Sequence, residues 1–154
     1  MDLEPAQGHL DLPDALVQSS FLIQEAMRCV ARRHDVSIVQ VRLFGVLRDR
    51  EPGILALAEY LGLDKSSVTG LVDRAEARGL VKRKADPDDG RAIRIGLTAE
   101  GRALAGRGER EMREEVRALT ASLTDAQRRQ LASLLGRVVS AGRVGQIQPS
   151  SPSS

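Results

Sequence analysis

Aromatic side chains are nearly absent from this chain. Two Phe, one Tyr and no Trp make up 2% of its 154 residues. With 42% apolar residues there is still enough material for a core, and it must be built from Leu, Val, Ile and Ala. A single cysteine, Cys29, excludes an intrachain disulfide. One Cys and two isolated His supply no metal-ligand cluster of the usual kind, so no metal or other cofactor is expected. No apolar run approaches a membrane span, and the N-terminus does not read as a signal peptide. These features predict a soluble, cytoplasmic protein without membrane partners. A Gly-rich phosphate loop and a nucleophile elbow are both missing. Gly101, Gly106 and Gly108 lie in a helical context without the strand that a dinucleotide fingerprint requires. No nucleophile, base and metal set converges, which argues against an enzyme.

Surplus charge is lacking too. The formal net charge is only +2, with a pI near 9.1. The charge is placed rather than abundant: residues 65–94 hold eight Lys or Arg against five Asp or Glu, and the first fourteen residues hold four acids and no Lys or Arg. A local positive patch in a near-neutral protein fits a groove-binding face, and a mixed solvated surface is the alternative.

The patch falls on an ordered series of elements. Leu57, Ala58 and Leu61 form one helical stripe, and Gly62 suits the positive φ that ends a helix. Asp64 is a good N-cap for the next helix, in which Val68, Leu71, Val72 and Ala75 face inward. Lys65, Ser66, Ser67, Thr69, Gly70 and Arg74 are left for the outer surface. A short helix with Lys, Ser and Thr near its N-terminus is what a duplex major groove accepts. The helix stops at Gly79. A basic strand at 80–85, a turn cluster at 86–91 and a strand at 92–97 follow, with Ile93, Ile95 and Leu97 alternating against Arg94 and Gly96. Helix, turn, helix and hairpin make a winged helix-turn-helix.

The same residues resemble the MarR family of bacterial transcriptional regulators. The likeness rests on Leu57-Ala58-x-x-Leu61-Gly62-Leu63-Asp64-Lys65-Ser66-Ser67-Val68-Thr69, then Val72-Asp73-Arg74 with Gly79-Leu80-Val81-x-Arg83, then Asp86-Pro87-x-Asp89-x-Arg91, and Leu97-Thr98-x-x-Gly101. It runs in order over residues 37–101. Two positions depart from the pattern. Gly90 stands where the family often carries a second wing-tip Arg, and Ala75 where a larger apolar residue is usual. The resemblance implies a repressor or, less often, an activator.

Around this reader the chain reads as helices. Residues 1–10 are expected to be a flexible tail. A helix from Asp11 or Pro13 to about His34 carries Leu16, Ile23, Met27, Val30 and His34 on one face, widened by Val17, Phe21 and Ala31. So broad a face on a long helix needs a partner. Ser37 with Gln40 is a capping box for a helix to about Asp49, and the family resemblance implies a short third strand added to the wing near Gly53. Thr98 caps a charged helix to about Leu119. Thr124 with Gln127 caps another, whose seam is Leu131, Leu134, Leu135, Val138 and Val139, to about Ala141. Residues 143–154 read as a disordered polar tail. The predicted fold is mainly α with a small β-hairpin wing: a winged helix-turn-helix at 37–97, flanked by dimerisation helices at 11–36 and 98–142. The simplest burial scheme is a two-fold homodimer, with a folded monomer as the alternative.

Role by role, Lys65, Lys82, Arg83 and Lys84 are expected at DNA phosphates. Ser66, Ser67, Thr69 and Arg74 are expected at base edges or adjacent phosphates; for Arg74 a partner in Asp73 or Glu76 is an equal alternative. Arg91, at the hairpin tip, is expected in the flanking minor groove, oriented by a charge-assisted bond from Asp89, which otherwise serves as a turn former. Double-stranded DNA with a pseudopalindromic operator is the implied partner. Members of the family commonly sense small aromatic or anionic effectors in a cleft between dimer helices and winged lobe. By that resemblance Arg28, Arg32, His34, Phe44 and Arg48 are candidates to border such a cleft, with surface or core roles as the alternative. Cys29 is a candidate redox switch or a buried inert thiol. A winged-helix interaction module that does not read DNA remains a second reading.

Overall fold

Eight elements follow one another in the computed structural model, which describes residues 10–145. They are α1 (Leu12–Arg33), α2 (Ile38–Leu47), α3 (Ile54–Leu61), α4 (Lys65–Ala77), β1 (Val81–Ala85), β2 (Ile93–Leu97), α5 (Ala99–Leu119) and α6 (Asp125–Gly145). The chain divides into two compact units, one ending at Val116 and one starting at Arg117. Among the described residues no helix is long and apolar enough to cross a membrane.

Local chemistry sets the helix ends. Asp11 caps α1 by accepting the Asp14 N–H at 2.9 Å. Ser37 and Gln40 form the expected capping box, with both reciprocal bonds in place. Gly62 ends α3 in the left-handed region at φ 65°, and Gly79 follows α4 at φ 71°, a backbone state open to Gly without steric cost. Thr98 Oγ1 accepts the Gly101 N–H at 3.0 Å and opens α5. Thr124 and Gln127 form a second capping box ahead of α6.

The core of the first unit lies under the helix-turn-helix. Leu43, Phe44 and Leu47 of α2 meet Leu57 and Leu61 of α3, and Val68, Leu71, Val72 and Ala75 of α4. Leu80, Val81, Ile95 and Leu97 close it from the wing. The hairpin is antiparallel, with Val81 opposite Leu97 and Arg83 opposite Ile95. Ala75 is fully buried, so a small side chain is what this close packing admits.

Several expectations need correcting. Helix α2 ends at Leu47 rather than Asp49. Ile93 is exposed although it shares a strand face with Ile95 and Leu97, because β2 projects past the core at its turn end and only Ile95 and Leu97 join the buried cluster. No third strand forms near Gly53 among the described residues: one bond, Ile95 N–H to Pro52 O at 2.9 Å, ties that segment to the two-stranded sheet. Helix α6 continues through Gly142 to Gly145, so residues 143–145 are helical rather than tail. A helix-interior Gly costs only about 1 kcal/mol and does not stop a helix without a left-handed cap. The remainder of both expected tails, 1–9 and 146–154, lies outside the described residues.

Burial on α1 is confined to its C-terminal half, at Ala26, Val30 and Ala31. Leu12, Leu16, Val17, Phe21, Leu22 and Ile23 stay exposed within the single chain, Phe21 at 60%. Along α6 the seam residues Leu131, Leu134, Leu135, Val138 and Val139 are likewise exposed.

Candidate nucleic-acid interface and ligand cleft

The N-terminal turn of α4 is tied to its cap. Asp64 accepts the Ser67 N–H at 2.8 Å, the Ser66 hydroxyl at 2.5 Å and the Ser67 hydroxyl at 2.6 Å. The two hydroxyl bonds and then the Ser67 N–H hold the Asp64 carboxyl well below the usual carboxylate range. Thr69 donates its hydroxyl to Lys65 O at 2.8 Å. All three hydroxyl hydrogens are therefore engaged inside the helix, and what Ser66, Ser67 and Thr69 offer outward is oxygen lone pairs. Lys65 is exposed and pairs with no carboxylate among the described residues. Arg74 takes neither expected partner. Its guanidinium folds back along the helix, with Nη1 3.3 Å from where a Cβ on Gly70 would stand.

The basic run 82–84 does not act as one patch, because successive strand residues point to opposite faces. Arg83 faces α4. Its guanidinium bonds Asp73 at 2.6 Å and also pairs with Glu76, whose other oxygen accepts the Arg83 N–H at 3.2 Å. Those carboxylates, Asp73 foremost, raise the Arg83 pKa further. Lys84 faces away and is paired with Glu51 at 2.6 Å, over the space left by Gly96. That bond is the main reason the Glu51 carboxyl is lowered. Lys82 is exposed without an ion pair among the described residues. In the free chain Arg83 braces the wing against α4, Lys84 is anchored to Glu51, and Lys82 is in no ion pair among the described residues.

At the wing tip, Asp86 organises the turn. It accepts the Asp88 N–H at 2.8 Å and the Arg94 Nε at 2.5 Å, and Arg94 is the chief cause of its lowered pKa. Asp89 accepts the backbone N–H of Arg91 at 3.1 Å. It shapes the turn instead of gripping the guanidinium, the alternative foreseen for it. The Arg91 side chain is exposed and carries no ion pair among the described residues.

A cleft of about 480 Å³ opens between α1, α2 and α5, walled by Val30, His34, Phe44, Arg48, Leu104 and Met112 among others. Its lining is largely apolar. Glu109 stands on the α5 wall, bonded to Arg113 at 2.5 Å and 3.4 Å from Arg48. Arg113 first, then Arg48, lowers the Glu109 pKa. His34 Nε2 lies 2.8 Å from Glu111, and Arg33 reaches both Glu111 and Glu115, so the end of α1 is tied to α5 by three polar links.

The arrangement has counterparts. A family model described as "MarR family" matches residues 34–92. The homoprotocatechuate degradative operon repressor of Escherichia coli is 30% identical over 90% of this chain and 94% of its own length. The chain belongs to the MarR family of transcriptional regulators. The regulator PecS of Dickeya dadantii is 29% identical over 90% of this chain and 83% of its own. Among solved structures, apo MarR from E. coli superposes with a TM-score of 0.70 at 21% identity, covering 85% of this chain and 98% of that one. NadR in complex with 4-hydroxyphenylacetate gives 0.69 at 26% identity, over 88% and 97%.

Within this MarR-family chain, the candidate residues separate by location. His34, Phe44 and Arg48 line the cleft. Arg28 and Arg32 do not: they pair with Glu25 at 2.7 and 3.6 Å on the exposed side of α1, because i,i+3 and longer reaches along one helix satisfy them locally. Cys29 is half-buried on α1 and does not line the cleft. Sequence reasoning missed the α5 wall, Leu104, Glu109, Met112 and Arg113. Its signal was present in the sparse apolar positions of a charged helix, but nothing in the sequence said which helix they faced.

Proposed function

We propose that this MarR-family regulator is a homodimeric, sequence-specific DNA-binding repressor, with α4 in the major groove, the wing in the flanking minor groove, and release by a small aromatic acid. The observation that carries the DNA reading is the pairing pattern. Lys65, Lys82 and Arg91 are exposed and without carboxylate partners among the described residues, while other cations of the reader are braced internally. Lys65 and Lys82 contact phosphates, and Arg91 enters the minor groove, where narrow A·T tracts concentrate negative potential. Ser66, Ser67 and Thr69 offer acceptors to base-edge amino groups, and Arg74 a donor fork to bases or phosphates. Arg83, Lys84 and Asp89 hold the wing in register, and their contacts with DNA are secondary. An interaction module without DNA-reading activity would have no use for uncompensated cations at the tip of the wing and the start of α4.

Dimerisation accounts for the apolar faces. A monomer leaving the α1 and α6 rows in water would expose an extent of apolar surface that single chains rarely tolerate. Residues 11–36 and 98–142 serve as the dimerisation region and 37–97 as the DNA-binding region. A two-fold pair sets half-sites about ten base pairs apart. For the effector, the cleft pairs the Phe44 and Met112 walls with the Arg48 and Arg113 cations. Both the name of the E. coli relative and the NadR complex refer to phenolic acids, which supports that chemical class.

The test is a titration of the purified protein against its own upstream intergenic DNA and a scrambled duplex at several salt concentrations. Salt-sensitive binding to both with clear preference for the first is expected. Arg91→Ala should weaken specific binding strongly and leave fold and dimer intact; undiminished affinity would refute its assigned role.

A further inference from the structure

Asp35 is the one non-glycine with positive φ among the described residues, at 51°. It follows the C-cap of α1, where Asp35 N–H bonds Arg32 O at 3.3 Å and Val36 N–H bonds Ala31 O at 3.0 Å. An L-residue in this region is held there by its surroundings. The residues on either side, His34 and Val36, both line the cleft. The carbonyl of Asp35 is turned elsewhere and accepts Arg78 Nη1 at 2.7 Å, across 43 residues of chain. Arg78 is the C-cap of α4. A second attachment meets the same turn from α5: Thr98 Oγ1 donates to Gly79 O at 2.6 Å, and Thr98 N–H to Leu80 O at 3.1 Å. Two walls of the cleft, the end of α1 and α5, are thereby fastened to residues 78–80 at the foot of α4.

We infer that Arg78 is a positioning residue that couples occupancy of the cleft to the orientation of α4, through the Asp35 carbonyl. The inference rests on the reading of the cleft as an effector site. A ligand pressing on His34 and Val36 must move the peptide between them, since the left-handed turn leaves little freedom to absorb the displacement. Arg78 then carries that movement to the C-terminal end of α4. Without Arg78 the hydrogen bond to the Asp35 carbonyl is lost, and α1 no longer acts on α4 by this route, while the packed core and the Thr98 attachment remain. Coupling of this kind is a free energy shared between two sites, so a double-mutant cycle measures it directly.

The cycle uses a built-in surrogate for the ligand. Gly45 lines the cleft, and a Cβ there would meet nothing within 4 Å, so Gly45→Leu places a side chain in the cleft at little steric cost. Gly45→Met serves as a second surrogate, and thermal melts confirm folding of each variant. Affinity for the upstream intergenic duplex is read by fluorescence anisotropy for wild type, Gly45→Leu, Arg78→Gln and the double variant. Gly45→Leu is expected to change affinity by about fivefold or more. In the Arg78→Gln background that change should shrink by about threefold or more, the worth of one lost hydrogen bond. Arg78→Lys, which keeps a donor, should restore most of it. Any additive loss from a phosphate contact by Arg78 cancels in the cycle. If Gly45→Leu acts equally in both backgrounds, the role of Arg78 is overturned while the effector site stands. If neither surrogate changes affinity, the effector reading of the cleft fails and this inference with it.

Discussion

Gly101→Ala offers a prediction whose sign is set by two opposing terms. Gly101 lies in the first turn of α5, directly against the backbone of Leu80, the residue before β1. A Cβ built there would stand 1.9 Å from Leu80 O and 2.9 Å from Leu80 C, and both are backbone atoms. The neighbours must separate by about 1 Å before the contact becomes tolerable. Leu80 is 4% exposed, and its carbonyl accepts the Thr98 N–H at 3.1 Å, so that bond is strained or lost in the same movement. Overpacking of this kind costs about 1–3 kcal/mol, and the hydrogen bond about 1 kcal/mol more. Against this, Ala is favoured over Gly in a helix by up to about 1 kcal/mol. The net expectation is a destabilisation of about 1–3 kcal/mol. Gly45→Ala is the control, since nothing lies within 4 Å of its Cβ, and it should stabilise by about 0.5–1 kcal/mol. Urea unfolding at one fixed protomer concentration reads both, because association enters the apparent stability. A Gly101→Ala midpoint at or above that of the wild type would show that the contact at Leu80 relaxes freely, and would refute the close-approach argument.

Other expectations follow from the charge arrangement and the exposed faces. Lys82→Gln should lower the slope of log affinity against log salt by about 0.9, one phosphate contact, whereas Arg83→Gln should weaken binding with the slope unchanged; equal slopes for both variants would place Arg83 on the DNA. Asp64, Glu51 and Asp86 all have carboxyl pKa values below those of the unfolded chain. Their stabilising contribution is complete above about pH 5, begins to fall as the unfolded carboxylates would protonate, and disappears as pH falls through the folded values. Melting midpoints should therefore hold down to about pH 5 as far as these groups are concerned and drop in more acid solution, and Asp64→Ala should lose stability at pH 7 by an amount that shrinks on acidification. A loss independent of pH would mean the cap acts by something other than its charge. Leu134→Glu with Val138→Glu, both on the exposed α6 seam, should convert the protein to monomer in sedimentation at micromolar concentration; an unchanged dimer would place the interface elsewhere.

Much of the reader was legible because its signals are short-range. A cap depends on residues three apart, as with Asp64 and Ser67, Ser37 and Gln40, or Thr124 and Gln127. Inward faces depend on spacing along one helix, and Val68, Leu71, Val72 and Ala75 are buried as that spacing implied. The likeness to the MarR family lay in the same residues, so fold and regulatory role could be read together.

The cleft and the fate of individual charges could not be read in this way. Whether Arg83 meets a phosphate or the pair Asp73 and Glu76 depends on how β1 lies across α4, seven to ten residues away in sequence and fixed only by the packed core. Lys84 finds Glu51 across 33 residues, and Arg78 finds the Asp35 carbonyl across 43. The sequence by itself determined where each helix starts, which side of it is apolar, and that a basic hairpin follows the second helix of the reader, since those properties follow from local backbone geometry and periodicity. Tertiary structure alone decided which cations remain free, which walls enclose the cleft and what ties them to α4, because pairing between distant segments is settled only once the core has fixed their relative positions.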